Sequence, residues 1–179
     1  MLFRSRVLGL RRLDPIDADP GAADRGIVVH RAIENFFRGL DGPLPPDALD
    51  RLLRAGEEAF ASLMDRPGVR AFWWPRFQRI ARWVVDLEHS REAAVAERHT
   101  EIDGALVLPG EPAFELRARA DRIDRLAGGD YEIIDYKTGA VPAKKDVNSG
   151  LSPQLSLEAA MIREGAFGAL EPAAVSALT

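Results

Sequence analysis

Cysteine is absent from this 179-residue sequence, which excludes disulfides, thiolate zinc sites, cysteine nucleophiles and cysteine-held iron–sulfur clusters in one step. Any metal must therefore be held by oxygen or imidazole. Lysine is almost absent: of 24 Lys and Arg residues only Lys137, Lys144 and Lys145 are lysines. Where arginine carries nearly all the positive charge, a lysine inside a candidate site stands out, because a compact ammonium does chemistry that a planar guanidinium does poorly. No apolar run approaches the ~18 residues of a membrane span, and MLFRSRVLGLRRL lacks a small-residue cleavage site after a long apolar stretch. The expectation is a soluble, cytoplasmic protein with no membrane partner. An excess of positive charge is missing too. The net charge of -4 argues against a chain that coats nucleic acid non-specifically, although arginines cluster locally at Arg4, Arg6, Arg11 and Arg12 and again at Arg66, Arg70, Arg76, Arg79 and Arg82. No G-x-x-x-x-G-K loop is present to bind ATP.

What is present suffices for one core: a 46% hydrophobic chain of this length predicts a single domain over residues 1–179. Residues 1–92 read as mostly helical. Asp14 to Gly21 is a loop rich in Asp and Pro that leads into a helix capped near Asp24 and spanning Arg25 to Gly39. Val29, Ile33, Phe36, Phe37 and Leu40 form its apolar stripe, with His30 and Glu34 one turn apart beside it. A second helix carries Leu49, Leu52, Leu53, Phe60 and Leu63. Pro67 begins a longer helix, bent near Pro75, whose Phe72, Trp73, Trp74, Phe77, Ile80, Trp83, Val84 and Leu87 read as core at helical spacing.

Over residues 93–179 the period becomes alternating. Asp103-Gly104 signals a hairpin turn between VAERHTEI and ALVL. Phe114, Leu116, Ala118 and Ala120 alternate with Glu115, Arg117, Arg119 and Asp121 as a half-buried strand does, and Gly128-Gly129-Asp130 turns the chain into a further strand, YEIIDYK. Ser152 is placed to cap a helix with Pro153 at its first position and Leu155, Leu157, Met161 and Ile162 inward. VSALT reads as the start of a last strand. The fold class is α/β, with the element order helix, three strands, helix, strand.

Charged residues fall at the ends of the second and third strands. Asp135 and Lys137 are two residues apart, so both leave the same face of an extended strand, with Tyr136 pointing the other way. Asp121 lies fourteen residues earlier, near the end of the neighbouring antiparallel strand, at a distance a hairpin through LAGGD bridges. Two carboxylates brought together need a proton or a cation between them. Mg2+ prefers octahedral oxygen ligation at about 2.1 Å and accepts one or two carboxylates plus water and substrate phosphate. Asp121 and Asp135 match that demand, and Lys137 beside them orients an attacking water or stabilises a pentacovalent phosphorus. Taken singly, each element has a plainer reading. Asp-x-Lys is commonly a solvated strand face, His30 a hydrogen-bonded core histidine, and RADRID a salt-bridged strand end pairing Asp121, Arg122, Asp124 and Arg125. The conjunction in this order favours phosphodiester hydrolysis.

GIVVH, RADRID, DYKTG and PQLSLEAAM resemble the successive motifs of the PD-(D/E)XK nuclease superfamily, specifically the RecB-like nuclease domain at the C-terminus of AddB helicase–nucleases, over residues 8 to 179. The resemblance implies a restriction-endonuclease-like α-β-β-β-α-β core with a mixed sheet and an added N-terminal helical region. It assigns His30, Asp121 and Asp135 to the metal with the Tyr136 carbonyl as a backbone ligand, Lys137 to catalysis, and Gln154 to supporting the site or the DNA backbone. It implies Mg2+ as the cofactor, with Mn2+ substituting, DNA as the substrate, and an AddA-like helicase–nuclease as partner in double-strand break repair and recombination. Glu97 is a further acidic position. The sequence departs from the family in lacking the four cysteines around an iron–sulfur cluster, in carrying Glu158 where many relatives place a tyrosine four residues after the glutamine, and in lacking a helicase portion. A fragment of a larger helicase–nuclease is therefore expected. The alternative is a catalytically silent nuclease-fold module that binds DNA ends or a protein partner, against which the intact Asp121, Asp135 and Lys137 set speaks.

Overall fold

A computed structural model describes residues 20–40, 42–137, 139 and 141–179; the arginines at 4, 6, 11 and 12 and most of the loop from Asp14 lie outside them. The first helix, α1, spans Ala22–Arg38. Its N-cap is Gly21, whose N–H donates to the Asp24 carboxylate at 2.7 Å, so Asp24 satisfies the helix start from its third position. Helix α2 covers Ala48–Phe60. A single π-helical turn, Val69–Trp73, then leads into α3, Trp74–Arg91. The widened turn immediately precedes Pro75, which has no N–H to give and whose ring crowds the carbonyl four residues back. The expected bend near Pro75 thus takes the form of a π turn. Val29, Ile33, Phe36 and Phe37 from α1, Leu52 and Phe60 from α2 and Phe77, Ala81 and Val84 from α3 form one apolar core. Two aromatic residues read as core face outward instead: Phe72 is 75% exposed and Trp83 58%. They lie away from the Phe77–Ala81–Val84 stripe, which meets α1 and α2 together with the partly buried Trp73, Trp74 and Ile80.

Four strands follow in a sheet of order β1-β2-β3-β4: β1 Val95–Leu108, β2 Phe114–Leu126, β3 Tyr131–Ile134 and β4 Val175–Leu178. The first three form an antiparallel meander, and β4 joins β3 in parallel after a crossover that contains α4, Lys144–Asn148, and α5, Gln154–Arg163. The α/β architecture is a mixed sheet with helices, as expected. Its own core, packed under α5, contains Ala120, Ile123, Tyr131, Ile133, Met161, Ile162 and Phe167.

Three local expectations are corrected. Asp103-Gly104 makes no hairpin; β1 runs straight through it, with Asp103 opposite Arg119 and Gly104 opposite Ala118, and the chain reverses over residues 109–113. Glycine is required at 104 for close approach, since a Cβ there would lie 2.7 Å from the Phe167 ring. Strand β3 stops at Ile134, so Asp135 and Lys137 lie just past its end rather than within it. Helix α5 begins at Gln154 with Pro153 as its N-cap, not Ser152, and it turns Glu158 inward at 3% exposure while Leu157 stays 40% exposed.

The two cores are joined by a buried ion network. Arg122 on β2 is fully buried and donates Nη1 and Nη2 to Glu88 of α3 at 2.7 and 3.0 Å, and Nε and Nη2 to Asp124 at 2.6 Å each. Arg91 of α3 reaches Asp124 at 3.0 Å and Glu132 of β3 at 2.6 Å. The Arg122 guanidinium also lies over the Phe37 ring of α1, 4.4 Å from its centroid. Helices α1 and α3 are thereby tied to β2 and β3.

Helix α2 gives a direct test of the helical packing. A Cβ on Gly56 would stand 2.1 Å from the Phe77 ring, which is itself 1% exposed and hemmed in by Phe60 and Trp74. Gly56→Ala should destabilise by about 1–3 kcal/mol despite alanine's better helix propensity, because overpacking outweighs the ~1 kcal/mol that propensity returns. Urea unfolding measures it, and a gain in stability would refute the packing described.

Candidate active site

Arg122 pairs with Ile134 across β2 and β3, so continuing the register one step sets Asp121 beside Asp135 at the open end of the pair. Backbone bonds hold the departing chain there: the Asp135 N–H donates to the Thr179 carbonyl at 2.9 Å, and the Tyr136 N–H donates to Asp121 Oδ2 at 3.0 Å. The Tyr136 side chain turns to the opposite side. Its ring stacks on Phe37 and its hydroxyl accepts from Arg122 Nη1 at 3.1 Å, so the buried ion network anchors the residue between Asp135 and Lys137.

Lys137 Nζ donates to Asp135 Oδ1 at 2.9 Å and to Gln154 Oε1 at 3.2 Å, and it forms an ion pair with Asp135 Oδ2 at 2.7 Å. Gln154, at the start of α5, returns its Nε2 to Asp135 Oδ1 at 3.1 Å and to Glu158 Oε1 at 3.3 Å. His30 of α1 presents Nδ1 3.5 Å from Asp121 Oδ2. The Asp135 carboxylate is only 7% exposed, whereas Lys137 is 37% exposed and reaches solvent. His30, Asp121, Asp135, Tyr136, Lys137 and Gln154 are thus gathered at one place. Glu97 is not: it sits on β1, half exposed, against Arg125 at 3.7 Å.

Several neighbours are not assigned to the site from the sequence. Glu101, in the left-handed conformation on β1, accepts from Arg119 at 2.7 Å, and Arg119 lies 4.0 Å from Glu34 of α1. Glu158 occupies a helix position that pattern alone assigns to an apolar residue; its spacing of four from Gln154 was the available signal. Arg122 and Asp124 pair as a salt-bridged strand end would, but Asp121 stays out of that network.

Electrostatics mark the site as over-supplied with carboxylate. Burial raises the pKa of Asp121, and the Asp135 charge adds to that rise against the Tyr136 N–H, His30 and Lys137, which lower it. Glu158 is pushed up to about 7, chiefly by burial and further by Asp135 and Asp121. Glu101 is raised by burial and by Glu34. Among the described residues no group of three or more His, Asp or Glu side chains stands ready to enclose a metal ion. The donor chemistry fits a hard cation all the same: two shielded carboxylates side by side, an imidazole nitrogen next to one of them, and one ammonium to offset the charge.

A shallow groove of about 210 Å³ opens from this centre between β2 and α5, lined by Leu116, Arg117, Arg119, Gln154, Leu157 and Glu158. Arg117 and Arg119 are more than half exposed along it. An acidic centre with one lysine, flanked by a groove that bears arginines, suits a phosphate-containing polymer.

Residues 2–178 match the model of the PD-(D/E)XK nuclease superfamily, and the chain belongs to that superfamily. Its members are hydrolytic nucleases that generally use divalent metal ions. Among individual proteins the chain is 28% identical to an uncharacterised protein of Rickettsia bellii over 166 residues, which cover 92% of this chain and 20% of that one. A Rickettsia typhi protein matches at 28% over 170 residues, with the same shares. An ATP-dependent helicase/deoxyribonuclease component from Streptococcus mutans is 28% identical over 159 residues, 87% of this chain and 14% of that protein. The chain thus spans about a fifth of the length of its Rickettsia relatives. No helix among the described residues is long and apolar enough to cross a membrane.

The Glu158 environment predicts a pH dependence of stability. A carboxyl raised from 4.5 to about 7 on folding binds its proton more tightly in the native state, so native stability falls as pH rises between those values. Glu158→Gln removes that contribution. In EDTA, its stability relative to the parent should grow from pH 5 to about 8 in denaturant titrations; a constant difference contradicts the assignment.

Proposed function

We propose that this chain is a Mg2+-dependent deoxyribonuclease domain that hydrolyses phosphodiester bonds, working within a helicase–nuclease of double-strand break repair and recombination. The observation that carries the reading is the contact of Lys137 Nζ with both Asp135 oxygens, next to an Asp121 that is bonded to the intervening Tyr136 N–H, in a chain of this superfamily. The Streptococcus mutans relative, by name part of a helicase/deoxyribonuclease, supports the larger setting. In such a parent an AddA-like helicase–nuclease is the partner and the cytoplasm the location.

His30, Asp121, Asp135 and the Tyr136 carbonyl would hold the ion, with Mn2+ able to replace Mg2+. Held there, a divalent ion would supply a bound water of lowered pKa and would draw charge from a non-bridging phosphate oxygen. Hydrolysis forms a bond from a water oxygen to phosphorus and breaks the bond to one ester oxygen; the water's proton passes to solvent, and the departing oxygen takes one up. Lys137, partly open to solvent, orients the incoming water and stabilises the negative charge that grows on phosphorus. Gln154 fixes Lys137 relative to Asp135 through its two hydrogen bonds, and Arg117 and Arg119 steady the DNA backbone along the adjoining groove.

Single-stranded and duplex DNA incubated with the purified chain, with Mg2+ and with EDTA, test the activity; no Mg2+-dependent cleavage of either would sink the reading. Lys137→Ala should lower the cleavage rate by roughly a hundredfold or more while Mn2+ affinity by calorimetry is kept, since lysine is no metal ligand at neutral pH. Equal loss of both contradicts the role given to it. His30→Ala should weaken Mn2+ binding with little change in melting temperature, and a collapse of melting temperature would favour a core histidine.

A further inference from the structure

We infer that the outer face of α3 is a second nucleic-acid site, a stacking groove for unpaired DNA separate from the catalytic centre. Arg76, Arg79, Ile80 and Trp83 recur at the spacing of one helix face and line a shallow groove of about 370 Å³. The buried stripe of the same helix, Phe77, Ala81, Val84 and Glu88, takes up the other side, so the groove is not part of the core. Trp83 is 58% exposed and Phe72, on the preceding π turn, 75% exposed. From Arg66 to Val85 the sequence carries five arginines and no Asp or Glu. Arg70, Arg76, Arg79 and Arg82 are all exposed, and none of them is held in an ion pair among the described residues. In a chain of net charge -4 these four arginines concentrate positive charge beside a partly exposed indole.

That combination selects its occupant. Guanidinium groups attract phosphates, and an exposed indole offers a flat face on which a base can stack, which needs bases not already stacked in a duplex. Trp83 and Glu88, whose carboxylate grips Arg122, leave α3 on different faces, so the groove is separate from the buried ion network. The inference rests on the nuclease reading only for the identity of the polymer.

The test is fluorescence anisotropy of a labelled oligo-dT with the full chain in EDTA, where cleavage plays no part. Trp83→Ala should weaken binding by about tenfold or more, with Trp83→Phe restoring most of it. Arg76→Ala combined with Arg79→Ala should reduce the dependence of log affinity on log salt by about 1.4. Duplex DNA of the same length should bind Trp83→Ala as it binds the parent. Melting temperatures verify the fold, and Trp83→Gln serves if the alanine variant is unstable. The inference fails if oligo-dT does not bind in EDTA, if the variants bind like the parent, or if Trp83→Ala weakens duplex and single strand alike. Failure of the nuclease reading would look different, as oligo-dT binding intact with no Mg2+-dependent cleavage.

Discussion

A single guanidinium without access to water, that of Arg122, governs where the rest of the molecule can sit. Burial works against its charge, but Asp124 and Glu88 more than reverse that, and its pKa is held above the ordinary arginine value. Leaving any partner of such a group unpaired costs about 3–5 kcal/mol, so the geometry around it is tightly determined. Glu88 comes from α3, Asp124 from β2, the ring beneath from α1, and the hydroxyl above from Tyr136. The helical part and the sheet are thus held in register by one planar cation. Arg91 and Arg98 bring further charge to the same carboxylates, so the buried acids are matched by bases from neighbouring elements.

The consequence for the site is indirect but specific. Tyr136 sits between the acid and the lysine of the Asp-x-Lys motif, and its side chain is pinned on the buried side while its N–H holds Asp121 on the other. Its phenol, pushed up to about 12 by burial, stays protonated and donates no charge to the network. The residue with no acid–base chemistry of its own is the one through which the fold aims the two that have it. The site also sets the carboxylates of Asp121, Asp135 and Glu158 against the single ammonium of Lys137, an imbalance that a divalent cation would offset.

Much of this was legible in the sequence. Period changes located the helices and the meander, and a spacing of fourteen residues across a glycine turn was enough to bring Asp121 to Asp135. Membership of the PD-(D/E)XK nuclease superfamily agrees with the motifs that suggested it. What could not be read was tertiary. Asp103-Gly104 carries the local chemistry of a hairpin, yet its glycine answers to Phe167, sixty-three residues away. Phe72 and Trp83 match a helical apolar pattern, but which side of α3 meets a partner is decided by α1 and α2. Glu158 breaks the pattern of α5 because it faces Gln154 and the acidic centre, and only the assembled site gives it a reason to be buried.

The central claim is that the end of the β2–β3 pair brings Asp121 and Asp135 to a common divalent ion. Crystals of the chain soaked in Mn2+, with anomalous diffraction recorded at the manganese edge, address it most directly. The account predicts a peak between the carboxylates of Asp121 and Asp135, next to the His30 imidazole. A peak elsewhere, or none while the two carboxylates keep the positions described, would contradict it.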